Sequence, residues 1–284
     1  MTDIQFPNQQ VKHHYYGKHA DFIFKMAALV GKTSEYVGYT NQIWFSPANF
    51  SFLYKGKQIL VNTGDLLLLD DLSPDILYFK YHYNESEHGH IKNVFPLGSM
   101  FISPAPLTTY QHFFGLIEED GFYNSANNMI LSKQRPFGQA VERRKIVQSI
   151  LRIKYGNEFD CEVQKGDHIG HWKAQRNCLV NVCVPGARPD MVDRGHLESM
   201  GLGVCVVAPP ITDVLAGFIQ PVAGVHYVEC KADYSNLVRV VEWCKDNRDR
   251  CQEIGDNCKE LFRKYYTPEN YWKWIDECME KVYG

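Results

Sequence analysis

The chain has 284 residues, 45% of them hydrophobic and 22% charged, enough for two ordinary domains that each bury a core. Its formal net charge of −3 gives no global basic field, so nucleic acid is not an expected partner. The polar opening MTDIQFPNQQ lacks the plan of a signal peptide, and no apolar run approaches the ~20 residues that cross a bilayer; the expectation is a soluble, cytoplasmic protein without an integral membrane segment.

Along the chain, DFIFKMAALVGK (21–32) predicts a helix stopped by Gly31. FSFLYKG (50–56) and QILVNTGD (58–65) read as two strands around a tight turn at Lys55-Gly56-Lys57. DILYFKYHY (75–83) alternates like a strand, and NVFPLGSMFI (93–102) reads as an extended segment broken by Pro96. HYNESEHGH (82–90) is dense in histidine and acid but reads as an exposed loop rather than a metal site.

NNMILSK suggests a short strand before an amphipathic helix over 138–156, with Val141, Ile146, Ile150 and Ile153 on its apolar face and Gly156 at its end. NCLVNVCVP (177–185) and GVCVVAPP (203–210) read as buried strands with a helix between them, and VHYVECKAD (225–233) as another strand. Residues 235–266 are helical in one or two pieces, with Ser235 as N-cap; Thr267 and Pro268 restart a helix. All nine cysteines lie from Cys161 onward, and Cys244, Cys251 and Cys258 recur every seven residues, as small apolar residues on one helix face do. Strands alternating with helices through 126–266 predict a parallel sheet covered by helices. The expected organisation is two α/β domains with a ligand cleft between them, 1–125 and 126–266, the terminal helix 267–284 being able to pack back on the first.

Three places carry candidate chemistry. Asp65 follows a buried strand, where a carboxylate can act as general base or can satisfy turn amides. In SKQRPFGQAVERR (132–144), Arg135, Arg143 and Arg144 surround a helix start, an arrangement that suits phosphate as well as a solvated surface; the P-loop pattern is absent. In VPGARPDMVDRGHLESMGLG, Pro185, Gly186 and Pro189 mark a loop flanked by Arg188 and Arg194. Glu198 follows Arg194 by one helical turn. A cation for a diphosphate and a carboxylate for ribose hydroxyls would make a nucleotide site; a surface ion pair is the alternative.

The stretch from GVHYVECKADYSNLVRVVEWCKDN to YYTPENYWKWI resembles the C-terminal part of glycosyltransferase family 90, the family of capsule-associated xylosyltransferases and protein O-glucosyltransferases. The resemblance is in order and spacing over 224–275 and weakens towards the N-terminus. It implies a GT-B fold, two Rossmann-like domains facing a central cleft, and an inverting UDP-sugar transferase that acts on a glycan acceptor with no metal or other cofactor. VNTGD then matches the strand whose aspartate is the catalytic base, Asp65. SKQRPFGQAVERR matches the segment that opens the nucleotide-sugar domain, implying Ser132, Arg135 and Arg143 as ligands. DRGHLESMGLGVCVV matches a helix entering a glycine turn, with Arg194 on the diphosphate. Glu198 also fits the wider Glu-x-x-x-x-Gly pattern, which implies a ribose-holding carboxylate and a retaining enzyme; a non-catalytic UDP- or sugar-binding protein is the rival from another class. The donor sugar implied is xylose or glucose.

Overall fold

The computed structural model of the chain describes residues 4–7, 14–33, 38–39, 49–64, 72–136, 138–163 and 166–284. Asp65 lies outside these residues. The chain divides into two compact units: the first is Met1–Gln111, Val214–Ile219 and Tyr265–Gly284, the second His112–Asp213 and Gln220–Lys264.

The first unit is built on strands β1 (Ile4–Pro7), β2 (Gly38–Tyr39), β3 (Asn49–Tyr54), β4 (Lys57–Asn62), β5 (Leu77–Lys80) and β6 (Val94–Pro96), in the order β2-β1-β3-β4-β5-β6. β3 and β4 form the hairpin expected around Lys55-Gly56, and both turn residues take positive φ, 50° and 73°. That turn geometry matches the right-handed twist of the strands it joins. β4, β5 and β6 run parallel, whereas β1–β3 and β3–β4 are antiparallel, so this sheet is mixed. Helix α1 (His14–Leu29) begins seven residues before the expected start at Asp21 and ends ahead of Gly31, whose φ is 67°.

β6 ends at Pro96, the break expected within 93–102; it is an edge strand, where a missing N–H costs no ladder bond. One expectation for this unit needs correction. Residues 82–90 are not a wholly exposed loop. Asn84 caps a short helix α2 (Glu85–His88) by accepting from Ser86 N at 3.0 Å, and His82 and His88 are buried. His88 Nδ1 accepts the Asn84 N–H at 2.9 Å, so its ring serves the helix cap.

After α3 (Leu107–Glu118), the second unit alternates β7 (Ile130–Leu131), α4 (Val141–Tyr155), β8 (Phe159–Asp160), α5 (His168–Arg176), β9 (Val180–Val182), α6 (Arg194–Gly201), β10 (Val206–Ala208), β11 (Val228–Glu229), α7 (Leu237–Asp246) and α8 (Arg248–Tyr266). Its strand order is β11-β10-β9-β7-β8, with every pairing parallel. Counted from β7, this is the doubly wound order 2-1-3-4-5. Helix α9 (Pro268–Tyr283) belongs to the first unit, where it packs on α1 and β5.

The apolar face expected for α4 is not the buried one. Ile146 is 54% exposed and Ile153 86%, while Val147, Leu151 and Tyr155 point inward. The polar Gln148 fixes the rotation: buried beside that line, it donates to the carbonyls of Ser132 at 3.1 Å and Gln134 at 2.9 Å. Cys244 lies on α7 and Cys251 and Cys258 on α8, so the heptad spacing spans a helix break rather than one face. All three thiols are free and fully buried. Ser235 is not the cap of α7; Asn236 occupies that position.

Candidate functional site in the second unit

In a doubly wound sheet the ligand crevice opens beyond the carboxyl ends of the two strands at which the winding reverses. Here these are β7 and β9, paired through Ile130 with Val180 and Leu131 with Asn181. Residues 132–135 continue β7, and residues 183–188 continue β9. Gln134 ties the two continuations together: its Oε1 accepts the Val184 N–H, and its Nε2 donates to Asp193 Oδ2 at 3.2 Å.

Asp193 caps α6. Its Oδ1 accepts from Gly195 N at 3.0 Å and His196 N at 3.3 Å, and it lies 3.0 Å from His196 Nδ1. Burial works to raise its pKa, but hydrogen bonding and charge from His196, with the charge of Arg144, outweigh burial and hold the carboxyl below the usual range. A fixed negative charge therefore anchors the helix start at the rim of the crevice.

The two arginines of α4 brace the loop after β9. Arg143 Nη2 reaches the carbonyls of Pro185, Gly186 and Ala187. Arg144 donates through Nε to Val184 O at 3.1 Å and through Nη1 to Arg135 O at 2.8 Å, and its Nη2 lies 3.4 Å from Asp193. Among the described residues, Arg143 Nε is buried and has no partner. The Oγ of the buried Ser132 is likewise without a partner there. Arg135 itself is exposed, and Gly186 is half-buried with its carbonyl on Arg143.

Arg188 is held by acids of its own loop system. Its Nε and Nη2 each lie 3.1 Å from Asp190 oxygens, and Nη2 also reaches Thr212 Oγ1 at 3.1 Å and lies 3.4 Å from Asp213. Its Nη1 is buried with no partner among the described residues. Arg194 opens α6 and is exposed.

Glu198 is not at the surface: it is 5% exposed. Trp172 Nε1 donates to its Oε1 at 2.6 Å, and His171 Nε2 stands 3.5 Å from Oε2. Burial acts to raise the pKa of this carboxyl, yet His171, the charge of Arg194 and the Trp172 donor together keep it below the ordinary glutamate range. The polar chain continues inward. Gln175 lies 2.9 Å from His171 and accepts from Ser199 Oγ at 2.9 Å, and Asn181 Nδ2 donates to that hydroxyl at 2.8 Å.

No family model matches the chain. Over 58 residues, 20% of its length, it is 31% identical to Uncharacterized protein 179R of Invertebrate iridescent virus 6, of which it covers 5%. Among solved structures it is similar to HepE of Anabaena, solved in complex with UDP and glucose, with a TM-score of 0.47 at 13% identity over 72% of this chain and 62% of that one. A glycosyltransferase of Rickettsia africae is similar with a TM-score of 0.46 at 10% identity, over 73% of this chain and 64% of that one. The chain thus spans less than two thirds of each of these structures.

Sequence reasoning missed several members of this site. Trp172 sits in no motif, and Gln134, though inside SKQRPFGQAVERR, is marked only by its partners. Asp193 carried a signal: an aspartate directly ahead of a helical run is a preferred N-cap.

Proposed function

We propose that the chain is a glycosyltransferase of family 90 with a GT-B arrangement, moving xylose or glucose from a UDP-sugar to a hydroxyl of a glycan acceptor with inversion and without a metal. One observation carries this reading. At the winding reversal of the parallel sheet, Ser132 Oγ and Arg143 Nε are buried donors without acceptors among the described residues, where the loops after β7 and β9 are braced by Gln134 and Arg144. Preorganised donors of this kind favour an anion such as a diphosphate. The order and spacing of residues 224–275 support the family.

In this mechanism Asp65 takes the proton of the acceptor hydroxyl, which attacks the anomeric carbon on the face opposite UDP. Negative charge then grows on the departing diphosphate. Arg143, Ser132 and Arg194 stabilise it by donation and charge, with Arg135, Gly186 and Arg188 completing the nucleotide-sugar pocket and Glu198 holding ribose hydroxyls. Glu198 also supports a second reading, a retaining enzyme, because its buried, ionised carboxylate lies on α6 five residues ahead of Gly203. The anomeric configuration of the product, read by NMR, separates the two.

UDP release measured across a panel of UDP-sugars tests the activity. Release with UDP-xylose or UDP-glucose, lost in Asp65→Ala and insensitive to EDTA, is the expected result. Near-normal turnover by Asp65→Ala removes the base assignment. UDP binding without release from any donor supports a non-catalytic binding protein instead.

A further inference from the structure

Tyr234 combines two unfavourable features at one buried position. It is 3% exposed, and its backbone sits at φ +60°, in the left-handed region that a bulky side chain rarely adopts. The surrounding turn enforces that conformation. Tyr234 N donates to Lys231 O at 2.9 Å, Leu237 N to Tyr234 O at 3.1 Å, and Lys231 N to Asn236 Oδ1 at 2.7 Å. Asn or Gly would satisfy this geometry more easily, so a tyrosine here reflects what its side chain does.

The second feature is the phenol. Its hydroxyl is buried and has no hydrogen-bond partner among the described residues, a state that buried hydroxyls avoid. The ring is within electrostatic reach of Cys230, Arg143, Cys183 and Asp193. Tyr234 therefore lies in the neighbourhood of Arg143, one of the candidate phosphate donors. Burial pushes the phenol's pKa up, so the group stays protonated and remains a donor. Ser132 Oγ and Arg143 Nε share the same condition: buried, able to donate, and lacking an acceptor among the described residues.

We infer that the Tyr234 hydroxyl donates to a phosphate oxygen of the nucleoside diphosphate, making the turn after β11 a third wall of the binding site beside the loops after β7 and β9. This rests on the nucleotide-sugar reading above. It adds a ligand contact from the segment 224–275. The ligand oxygen supplies an acceptor that the described residues do not.

The test is Tyr234→Phe, which removes one oxygen and keeps the ring. Calorimetric titration with UDP and with uridine, plus thermal unfolding of the ligand-free proteins, gives the readouts. The expected result is a UDP Kd raised about tenfold, the loss typical of a hydrogen bond to a charged group, with uridine affinity unchanged. The ligand-free Tm should stay level or rise, because the phenylalanine leaves no buried hydroxyl without a partner. Unchanged UDP affinity overturns the inference while leaving the nucleotide site in place. An equal loss for uridine and UDP, or a fall in the ligand-free Tm, overturns the diphosphate contact. A wild-type protein that binds no UDP fails the nucleotide-sugar reading itself, a failure visible before any variant is made.

Discussion

Trp172 donates its indole N–H to Glu198 at 2.6 Å, and both side chains are buried. The bond joins α5 to α6, and the ring of Trp172 packs 5.0 Å from that of Phe113. The carboxylate is therefore positioned from beneath by an aromatic side chain with few alternative rotamers. Removing either partner exposes the asymmetry of buried hydrogen bonds: the group left behind bears its full desolvation cost.

Glu198→Ala should lower stability by about 2 kcal/mol, since it leaves the indole N–H buried without its acceptor. Glu198→Gln should cost less at pH 7 because the amide oxygen can still accept. The carboxyl's folded pKa lies below its usual value, so its ionic contribution is present above the unfolded range and fades as pH falls. Urea unfolding of wild type and Glu198→Gln from pH 7 to pH 3 should show the gap between them closing in acid. A gap that stays constant would show that the charge contributes nothing.

Gln134 spans the winding reversal, with one end on Val184 N and the other on Asp193. Gln134→Leu should loosen the loop after β9 and lower stability by about 2 kcal/mol, roughly 1 for each of the two hydrogen bonds lost. Gln134→Glu should do worse, because it sets a second carboxylate beside Asp193 and like charges at that range repel. UDP affinity, measured on both variants, should fall in the same order. Equal behaviour of the two would mean that the charge of Asp193 is not felt there.

How much of this was legible in sequence follows from what each signal encodes. The hairpin at Lys55-Gly56 and the strand–helix alternation after residue 126 were readable because turn chemistry and apolar runs are local. The buried face of α4 was not. Ile146 and Ile153 compete with the inner line of Val147, Leu151 and Tyr155, and Gln148, reaching two distant carbonyls, is buried on the inner side. The candidate site divides in the same way. Arg143 and Glu198 stand out by type and spacing, but their partners Gly186 and Trp172 come from other loops and helices. Tyr234 shows no motif, and only its φ and its lone hydroxyl mark it.

His19 offers a pH test in the first unit. It is buried in α1, its Nδ1 lies 3.3 Å from Tyr81 Oη, and burial, with the charge of Lys18, lowers its pKa to about 3. The folded state thus holds the neutral ring, while the unfolded chain takes up a proton below about pH 6.5. Stability from this group is complete above that value and declines as pH falls towards the folded pKa, by up to ~1.4 kcal/mol per pH unit. His19→Phe should flatten that part of the profile: the wild type should lose about 2 kcal/mol more than the variant between pH 7 and pH 5. Parallel profiles over that interval would show that His19 titrates normally in the fold.

Two glycines on helices should respond to alanine in opposite directions. Gly115 is exposed on α3, and a Cβ added there meets nothing within 4 Å. Gly115→Ala should stabilise the protein by up to about 1 kcal/mol through helix propensity and the unfolded chain's entropy. Gly255 lies on α8, where an added Cβ would fall 2.0 Å from the carbonyl oxygen of Gly203 and 3.2 Å from Tyr123 Cδ1. The obstacle is backbone rather than a flexible side chain, and Gly203 is itself committed to φ +71° in the turn that leads from α6 to β10. The propensity gain at Gly255, again about 1 kcal/mol, is smaller than the ~1–3 kcal/mol typical of forced overpacking. Gly255→Ala should therefore lower the Tm while Gly115→Ala raises it. Because Gly203 lies in the turn directly after the helix that carries Glu198, Gly255→Ala should also weaken UDP binding. A Gly255→Ala protein as stable as wild type would mean that α8 can move off that turn at little cost.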